Sequence, residues 1–179
     1  MKQLEGADAV PASLSGLILL TDVRFRPYGI GDGDRLRRMS GRLSRKSLYT
    51  RFFAGTPRIP DTYAAQLAAL DHWDREAMVA LLDGEMIGLA HYVRDRARPC
   101  RADLAVLVAD PWQRHGLGRR LVAYLAALAQ RRGITGFDAD VILENREAML
   151  AIRQTWPAAR PRTRDGAAHY DLPLPLPAA

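Results

Sequence analysis

The chain has 179 residues, of which 48% are hydrophobic, and this suits one domain with its own core. Its net charge is +6, but the arginines are scattered and aromatic residues do not interleave with them, which argues against a nucleic-acid-binding surface. The chain has no run of eighteen apolar residues, no convincing signal peptide and a single cysteine, so we expect a cytoplasmic protein without a membrane span or an internal disulfide.

The first part of the chain predicts an extension, a strand and three helices. Residues 1–16 mix small, polar and charged types without periodicity, and we expect a flexible N-terminal extension there. A glycine-rich turn leads into the first helix, which Asp32 or Asp34 would cap, because a carboxylate accepts hydrogen bonds from free backbone N–H groups. The predicted elements are a strand at 17–26, a helix after Gly33, a helix after Ser44 and a helix at 63–70.

The second part predicts a hairpin and then alternating strands and helices. Asp83-Gly84 is typical of a two-residue hairpin turn, and Gly133 ends the longest helix. Residues 174–179 form a proline-rich C-terminal tail, so the predicted single domain spans 17–173. The predicted elements are strands at 77–82, 86–93 and 103–109, a helix at 116–132, a strand at 136–143, a helix at 145–155 and a short strand at 169–172.

This order of elements predicts a mixed α/β fold, in which helices flank a mostly antiparallel central sheet. The run at 103–109 is almost continuously apolar, as expected for a buried central strand. An exposed sheet edge near the C-terminus leaves a homodimer as an open expectation.

The segment 106–120 carries the strongest chemical signal, because an apolar strand ends there in a turn that opens a helix through Gly116 and Gly118. Glycine lets the backbone approach a ligand closely, and the first N–H groups of a helix favour an anion. Nearby arginines add positive charge, which suits a pyrophosphate. A P-loop is excluded because no Gly-Lys-Ser/Thr follows, and the dinucleotide fingerprint fails because its third glycine is replaced by Leu121.

The pattern Gln113-x-x-Gly116-x-Gly118 resembles the Gln/Arg-x-x-Gly-x-Gly/Ala signature of the GNAT acetyltransferase superfamily. The resemblance extends over residues 23–172, because the order of strands and helices also matches. Within it, the segments that resemble the acetyltransferase domain of bacterial protein lysine acetyltransferases are Ser44–Phe53, 71–75 and 91–95.

The resemblance implies that the chain binds acetyl-CoA as a co-substrate and needs no metal. In this superfamily the central strand splays from its neighbour, and the pantetheine arm of CoA fills the gap like a short extra strand. Val106, Leu107 and Val108 would offer backbone groups to that arm. Asn145 would contact the same ligand from the next helix. The residues that would hold the pyrophosphate are Arg114, His115, Gly116, Leu117, Gly118 and Arg119.

The implied reaction is direct attack of an amine on the thioester in a ternary complex. A lysine amine has a pKa of about 10.4 and is mostly protonated near pH 7, so a general base is needed. Asp103 matches the position of the glutamate base in the lysine acetyltransferases, with Asp140 and Glu144 as reserve candidates. The tyrosine that often protonates the leaving thiolate is missing from 148–156, but a thiol with a pKa of about 8.5 leaves without full protonation.

The implied acceptor is an amine, and its identity stays open. A protein lysine is one candidate, and a small amine or an amino acid is the alternative. A further alternative is a non-catalytic acyl-CoA sensor, which the missing tyrosine and the short side chain of Asp103 would favour. A nucleic-acid binder is a third alternative, which only the basic charge suggests. No membrane partner is expected, and the four histidines lack the spacing of metal ligands.

Overall fold

The computed structural model describes residues 22–177, so the predicted extension at 1–16 and the start of the first predicted strand lie outside the described residues. The domain limits at 17–173 stay a prediction. The described elements are β1 (Arg24–Pro27), α1 (Asp32–Ser40), α2 (Arg45–Phe52), α3 (Asp61–Ala68), β2 (Arg75–Leu82), β3 (Glu85–Arg94), β4 (Arg101–Val108), a 3-10 turn (Asp110–Trp112), α4 (Leu117–Arg131), β5 (Gly136–Ile142), α5 (Arg146–Thr155), β6 (Arg162–Arg164) and β7 (Ala167–Pro173).

The strands form one seven-stranded sheet in the order β1-β2-β3-β4-β5-β7-β6. Every neighbouring pair is antiparallel except β4 and β5, which are parallel. This confirms the predicted mixed α/β fold with a mostly antiparallel sheet. The parallel pair stands in the middle of the sheet, where α4 provides the crossover that a parallel connection requires.

Two Asp-Gly turns connect antiparallel strands. Asp83 and Gly84 have φ angles of 50° and 78°, the left-handed conformation that a tight hairpin turn requires at both central positions. The same geometry recurs at Asp165 and Gly166, with φ of 51° and 77°, between β6 and β7. The sequence predicted a lone strand at 169–172, so the prediction was incomplete. The partner strand β6 was missed because its three residues, Arg-Thr-Arg, show no apolar alternation.

Two apolar layers cover the two faces of the sheet. On one face, Leu121 and Leu125 of α4 pack in a buried cluster that includes Tyr92 of β3. On the other face, a second cluster joins Leu36 of α1 to Leu89 of β3. Alternate side chains of β3 thus point to opposite faces, as the pleat of a strand requires. The helices α1, α2 and α3 lie on the second face.

The predicted capping of α1 by Asp32 or Asp34 is wrong. Gly31 is the N-cap residue, and no side chain caps the helix within the described part of the chain. Asp32 is instead buried as the first helical residue, where it accepts hydrogen bonds from Arg26 at 2.5 and 2.7 Å and from the Gly29 N–H at 2.8 Å. Burial raises the pKa of Asp32, but these hydrogen bonds outweigh it and hold that pKa below its ordinary value.

Candidate functional site

The parallel pairing of β4 with β5 is short. It covers three residue pairs, from Arg101–Gly136 to Asp103–Asp138, after which the strands part. In the same register, Val106 would stand opposite Val141, but the two are not paired. We call the opening between Leu104–Val108 and 139–142 the β4–β5 wedge.

The wedge corrects one sequence prediction. The apolar run at 103–109 predicted a fully buried strand, yet Leu104, Val106 and Val108 are partly exposed. The reason is that β4 pairs with β3 along its whole length but loses its neighbour on the other edge after Asp103. Backbone polar groups on this edge of β4 therefore lack a strand partner within the described part of the chain, and such groups seek hydrogen bonds.

The N-terminus of α4 lies at the end of β4 and is left uncapped. Gly116 is its N-cap residue with φ of 77°, and no described side chain accepts a hydrogen bond from its first turn. The helices α2 and α5 differ, because Ser44 and Asn145 accept hydrogen bonds from Ser47 N–H and Ala148 N–H. The first N–H groups of α4 are thus available to an anion, which the helix dipole also favours.

Gln113 fixes the loop that precedes α4. Its Nε2 donates to the carbonyl of Val108 at 3.0 Å, to Ser47 Oγ at 3.1 Å and to Asp110 Oδ1 at 3.2 Å. The other carboxylate oxygen of Asp110 accepts a hydrogen bond from the Ser44 N–H at 3.2 Å. The loop is therefore tied both to the end of β4 and to the start of α2. The contact with Ser47 was not predicted from the sequence, because Ser47 lies 66 residues away along the chain.

The structure brings the predicted pyrophosphate residues together at this helix start. Arg114, His115 and Arg119 are exposed, whereas Leu117 is buried and packs in the core. A Cβ on Gly118 would lie 3.5 Å from Val106 Cγ1, an ordinary van der Waals contact, so the first turn of α4 lies directly beside β4. Leu117 can thus offer only its backbone to a ligand.

Asn145 lies at the far side of the wedge, after β5. Its Oδ1 is used by the N-cap hydrogen bond to Ala148 N–H at 3.1 Å, so the side-chain amide NH₂ is the group left for a ligand. The predicted reserve base Glu144 is exposed just before it. The helix that follows, α5, has no tyrosine in its sequence.

Asp103 lies where β4 and β5 part, and its side chain is exposed. Partial burial raises its pKa, and the negative charges of Asp138, Asp140 and Asp95 raise it further. Asp138 is held by Arg101 at 2.5 Å, while Asp140 is hydrogen-bonded to His169. A carboxylate with a raised pKa is a stronger base than an ordinary one, which suits proton abstraction.

A second group of side chains, which sequence analysis did not identify, lies on the face covered by α2 and α3. Arg51 Nη2 donates to His91 Nε2 at 3.3 Å, and the guanidinium carbon lies 5.0 Å from the ring centroids of both Phe52 and Tyr63. Burial, and then the charge of Arg51, lower the pKa of His91 to about 3. We call Arg51, Phe52, Tyr63 and His91 the Arg51 cluster.

This arrangement predicts a pH dependence of stability. An unfolded histidine has a pKa of about 6.5. Below that pH, His91 binds a proton in the unfolded chain but stays neutral in the folded protein, because its folded pKa is about 3. Stability is therefore lost as the pH falls, by at most about 2 kcal/mol between pH 6.5 and pH 5. Urea unfolding of the wild type and of His91→Gln at pH 7 and pH 5 should show a smaller loss in the variant.

The matched control is His115→Gln, which changes an exposed histidine. It should keep the pH dependence of the wild type. Equal losses of unfolding free energy in the wild type and in His91→Gln would contradict the assignment of His91 as a buried neutral imidazole.

Comparisons with known proteins agree with this geometry. The sequence model of the Acetyltransferase (GNAT) family matches residues 45–153. Acetyltransferase PA5475 of Pseudomonas aeruginosa is 31% identical over 118 residues, which cover 62% of this chain but only 61% of that relative. Among solved structures, the GNAT domain of S. lividans PAT superposes with a TM-score of 0.79 at 28% identity, over 85% of this chain and 90% of that one.

A more distant structure supports the fold alone. An acetyltransferase from Salmonella typhimurium, solved with its cofactor acetyl-CoA, superposes with a TM-score of 0.67 at 17% identity, over 88% of this chain and 97% of that one. Within residues 22–177, no helix is long and apolar enough to cross a membrane, and no group of three or more His, Cys, Asp or Glu is placed to hold a metal ion. The match to the family model includes β2 to β5, with the wedge and the loop before α4. Because this match covers more than half of the chain, the chain belongs to the Acetyltransferase (GNAT) family.

Proposed function

We propose that this protein transfers an acetyl group from acetyl-CoA to an amine, by direct attack in a ternary complex. The observation that carries the proposal is the β4–β5 wedge, which opens beside the uncapped N-terminus of α4. An extended, polar arm fits the unpaired edge of β4, and a pyrophosphate fits the free N–H groups of the helix. These two features lie at the same end of β4, as one ligand would require.

The proposed binding roles follow from that placement. The backbone of Val106, Leu107 and Val108 would hydrogen-bond the pantetheine arm in place of a strand. The amide NH₂ of Asn145 would reach it from the side of β5. The pyrophosphate would bind the helix start and its exposed cations, which comprise Arg114, His115, Gly116, Leu117, Gly118 and Arg119.

In the proposed chemistry, acetyl-CoA supplies an activated acyl group as a thioester. Asp103 takes the proton of the incoming ammonium group, directly or through one water, because its raised pKa and exposed position suit this role. Asp140 and Glu144 are the reserve bases. With no tyrosine on α5, the thiolate leaves without a proton from that helix, as a thiol pKa of about 8.5 permits.

The acceptor in the proposed reaction is an amine. The likeness to the GNAT domain of S. lividans PAT at 28% identity keeps a protein lysine as one candidate. A small amine or an amino acid is the other. We also propose a cytoplasmic location, no metal requirement and a single catalytic domain at 17–173.

A second candidate function is that of an acyl-CoA sensor without turnover. It is favoured by the absence of a tyrosine from α5 and by the short reach of Asp103 compared with glutamate. Binding of acetyl-CoA is common to both candidates, and only release of CoA separates them.

The test is a calorimetric titration of the protein with acetyl-CoA, followed by an assay of CoA release with a panel of amines. Saturable one-to-one binding with amine-dependent CoA release supports the enzyme. Binding without release for every amine supports the sensor. If the folded protein does not bind acetyl-CoA, both candidates are wrong.

A further inference from the structure

Arg51 carries a positive charge and makes no ion pair with any carboxylate of the described residues 22–177. It is partly buried between α2, α3 and the sheet, and its Nε is buried without a hydrogen-bond partner among residues 22–177. It hydrogen-bonds His91 Nε2, on a side chain that stays neutral, and the side chain of Tyr63, which is neutral as well. Burying an unpaired charge is costly, and stacking on the rings of Phe52 and Tyr63 offsets only part of that cost.

Four other partly buried arginines each have a carboxylate partner. Arg101 has Asp138 at 2.5 Å, and Arg132 has Glu76 at 2.9 Å. Arg94 has Asp74 at 2.7 Å, and Arg26 has Asp32 at 2.5 Å. Arg51 has no such carboxylate within residues 22–177. The planar guanidinium suits bidentate binding of a carboxylate, so an arginine that its neighbours hold in place without a carboxylate is a candidate for binding one from outside.

The position of Arg51 relates it to the proposed reaction. His91, which it contacts, is paired with Ala105 of β4, and the next pair on that face of the sheet is Val93–Asp103. Successive residues on one face of a strand are about 7 Å apart. Arg51 and Asp103 therefore lie on the same face of the sheet, separated by a distance that a small acceptor molecule could span.

The two ends of this surface have opposite charge. Asp103 and Asp140 lie on the side of the wedge, and Asp140 has only a histidine as its partner within the described residues. Carboxylates attract the ammonium form of an acceptor, whereas Arg51 attracts an anion. The geometry points to an acceptor that carries both groups.

We propose that Arg51 binds a carboxylate of the acceptor, and that the acceptors of this protein are amines bearing a carboxylate, as free amino acids do. This inference rests on the proposed acetyl transfer and names its substrate class. The partly exposed planar guanidinium would hold the carboxylate, while the amine of the same molecule faces Asp103. A lysine inside a protein chain has no carboxylate of its own to satisfy Arg51.

The experiment compares matched acceptors in the CoA-release assay: phenylalanine with phenethylamine, free lysine with cadaverine, and an amidated peptide with one internal lysine. Wild-type protein should prefer the member that carries a carboxylate by about 10-fold or more in kcat/KM, mainly through KM, since a charge-assisted hydrogen bond is lost without it. In Arg51→Gln this preference should fall to within about 2-fold. Arg51→Lys, which keeps the charge but not the planar fork, should keep part of it.

Arg58→Gln is the matched control, because it removes an exposed arginine that is paired with Asp61 on the surface. It should keep the preference of the wild type. Each variant is first titrated with acetyl-CoA and checked for cooperative thermal unfolding. If Arg51→Gln does not fold, the comparison of the wild type with Arg51→Lys, in their preference for acceptors that carry a carboxylate, tests the role of Arg51.

The outcomes separate this inference from the proposed function. Equal kcat/KM for matched acceptors in the wild type would overturn the role of Arg51 and leave acetyl transfer intact. Preference for the peptide lysine would overturn it equally. Binding of acetyl-CoA with no CoA release for any amine would overturn the proposed function, and this inference with it.

Discussion

Replacement of Asp103 by asparagine should lower kcat by about 100- to 10,000-fold, the usual contribution of a general base. Asparagine keeps the shape of the side chain but cannot take a proton. Acetyl-CoA affinity should stay within about 2-fold of the wild type, because Asp103 lies where β4 and β5 part and the proposed pyrophosphate site lies beyond the other end of β4. Single-turnover kinetics and calorimetric titration measure the two quantities separately.

The pH dependence gives this prediction a second readout. The raised pKa of Asp103 means that kcat/KM should fall as the pH is lowered through that pKa, and the remaining activity of Asp103→Asn should lack this fall. A raised pKa also means that the charge of Asp103 is unfavourable in the folded state at neutral pH. The unfolding free energy of Asp103→Asn should therefore equal or exceed that of the wild type, so lost activity would not reflect lost folding.

Asp165→Asn is the control for this change, because it alters an exposed aspartate in the β6–β7 turn, where asparagine also tolerates the left-handed conformation. It should keep full activity. Unchanged turnover in Asp103→Asn would remove Asp103 from the mechanism. Loss of turnover in Asp140→Asn instead would transfer the role to the reserve base on β5.

Replacement of Gly116 by valine should weaken acetyl-CoA binding by about 100-fold or more. Gly116 has φ of 77°, which a β-branched residue adopts only with strain, so the loop must rearrange and move the first N–H groups of α4. Each charge-assisted hydrogen bond lost to the pyrophosphate would cost about 1.5–3 kcal/mol, and two such losses exceed a 100-fold change. Calorimetric titration measures the affinity.

Gly133→Val is its matched control at the opposite end of α4. Gly133 has φ of 78°, so valine there causes the same kind of backbone strain as at Gly116. A Cβ on Gly133 meets nothing within 4 Å, and no proposed ligand lies near it. It should lower stability and leave acetyl-CoA affinity unchanged. If both variants lost acetyl-CoA affinity equally, general destabilisation would explain the result for Gly116→Val. If Gly116→Val kept the affinity of the wild type, the loop would not hold the pyrophosphate.

The features that sequence analysis predicted well are set by local chemistry. The Asp83-Gly84 turn fixes its hairpin because both residues accept positive φ, and Gly133 ends α4 for the same reason. The start of α4 at Gly116 is equally local. The course of the edge strand β6 was missed, because three exposed polar residues carry no periodic signal and are held only by the turn that follows.

The features that were not predicted depend on contacts between distant segments. The apolar run of β4 predicts a buried strand in either case, whether its open edge pairs with another strand or binds a ligand. Only the family resemblance indicated the wedge. Arg51 and His91 are 40 residues apart and come from a helix and a strand. The pattern around each of them looks ordinary, and the missing carboxylate is apparent only when their surroundings are known.

The short pairing of β4 with β5 has a consequence for how the protein would respond to its surroundings. In the proposed function, the wedge and the helix start bind the pantetheine and the pyrophosphate, which the proposed substrate acetyl-CoA and the released thiol CoA share. Neither feature distinguishes the two molecules, so CoA should compete for the wedge nearly as well as acetyl-CoA does. We therefore expect the rate of transfer in the cell to follow the ratio of acetyl-CoA to free CoA. The extent of acetylation by this protein would then depend on that ratio and not on the concentration of acetyl-CoA alone.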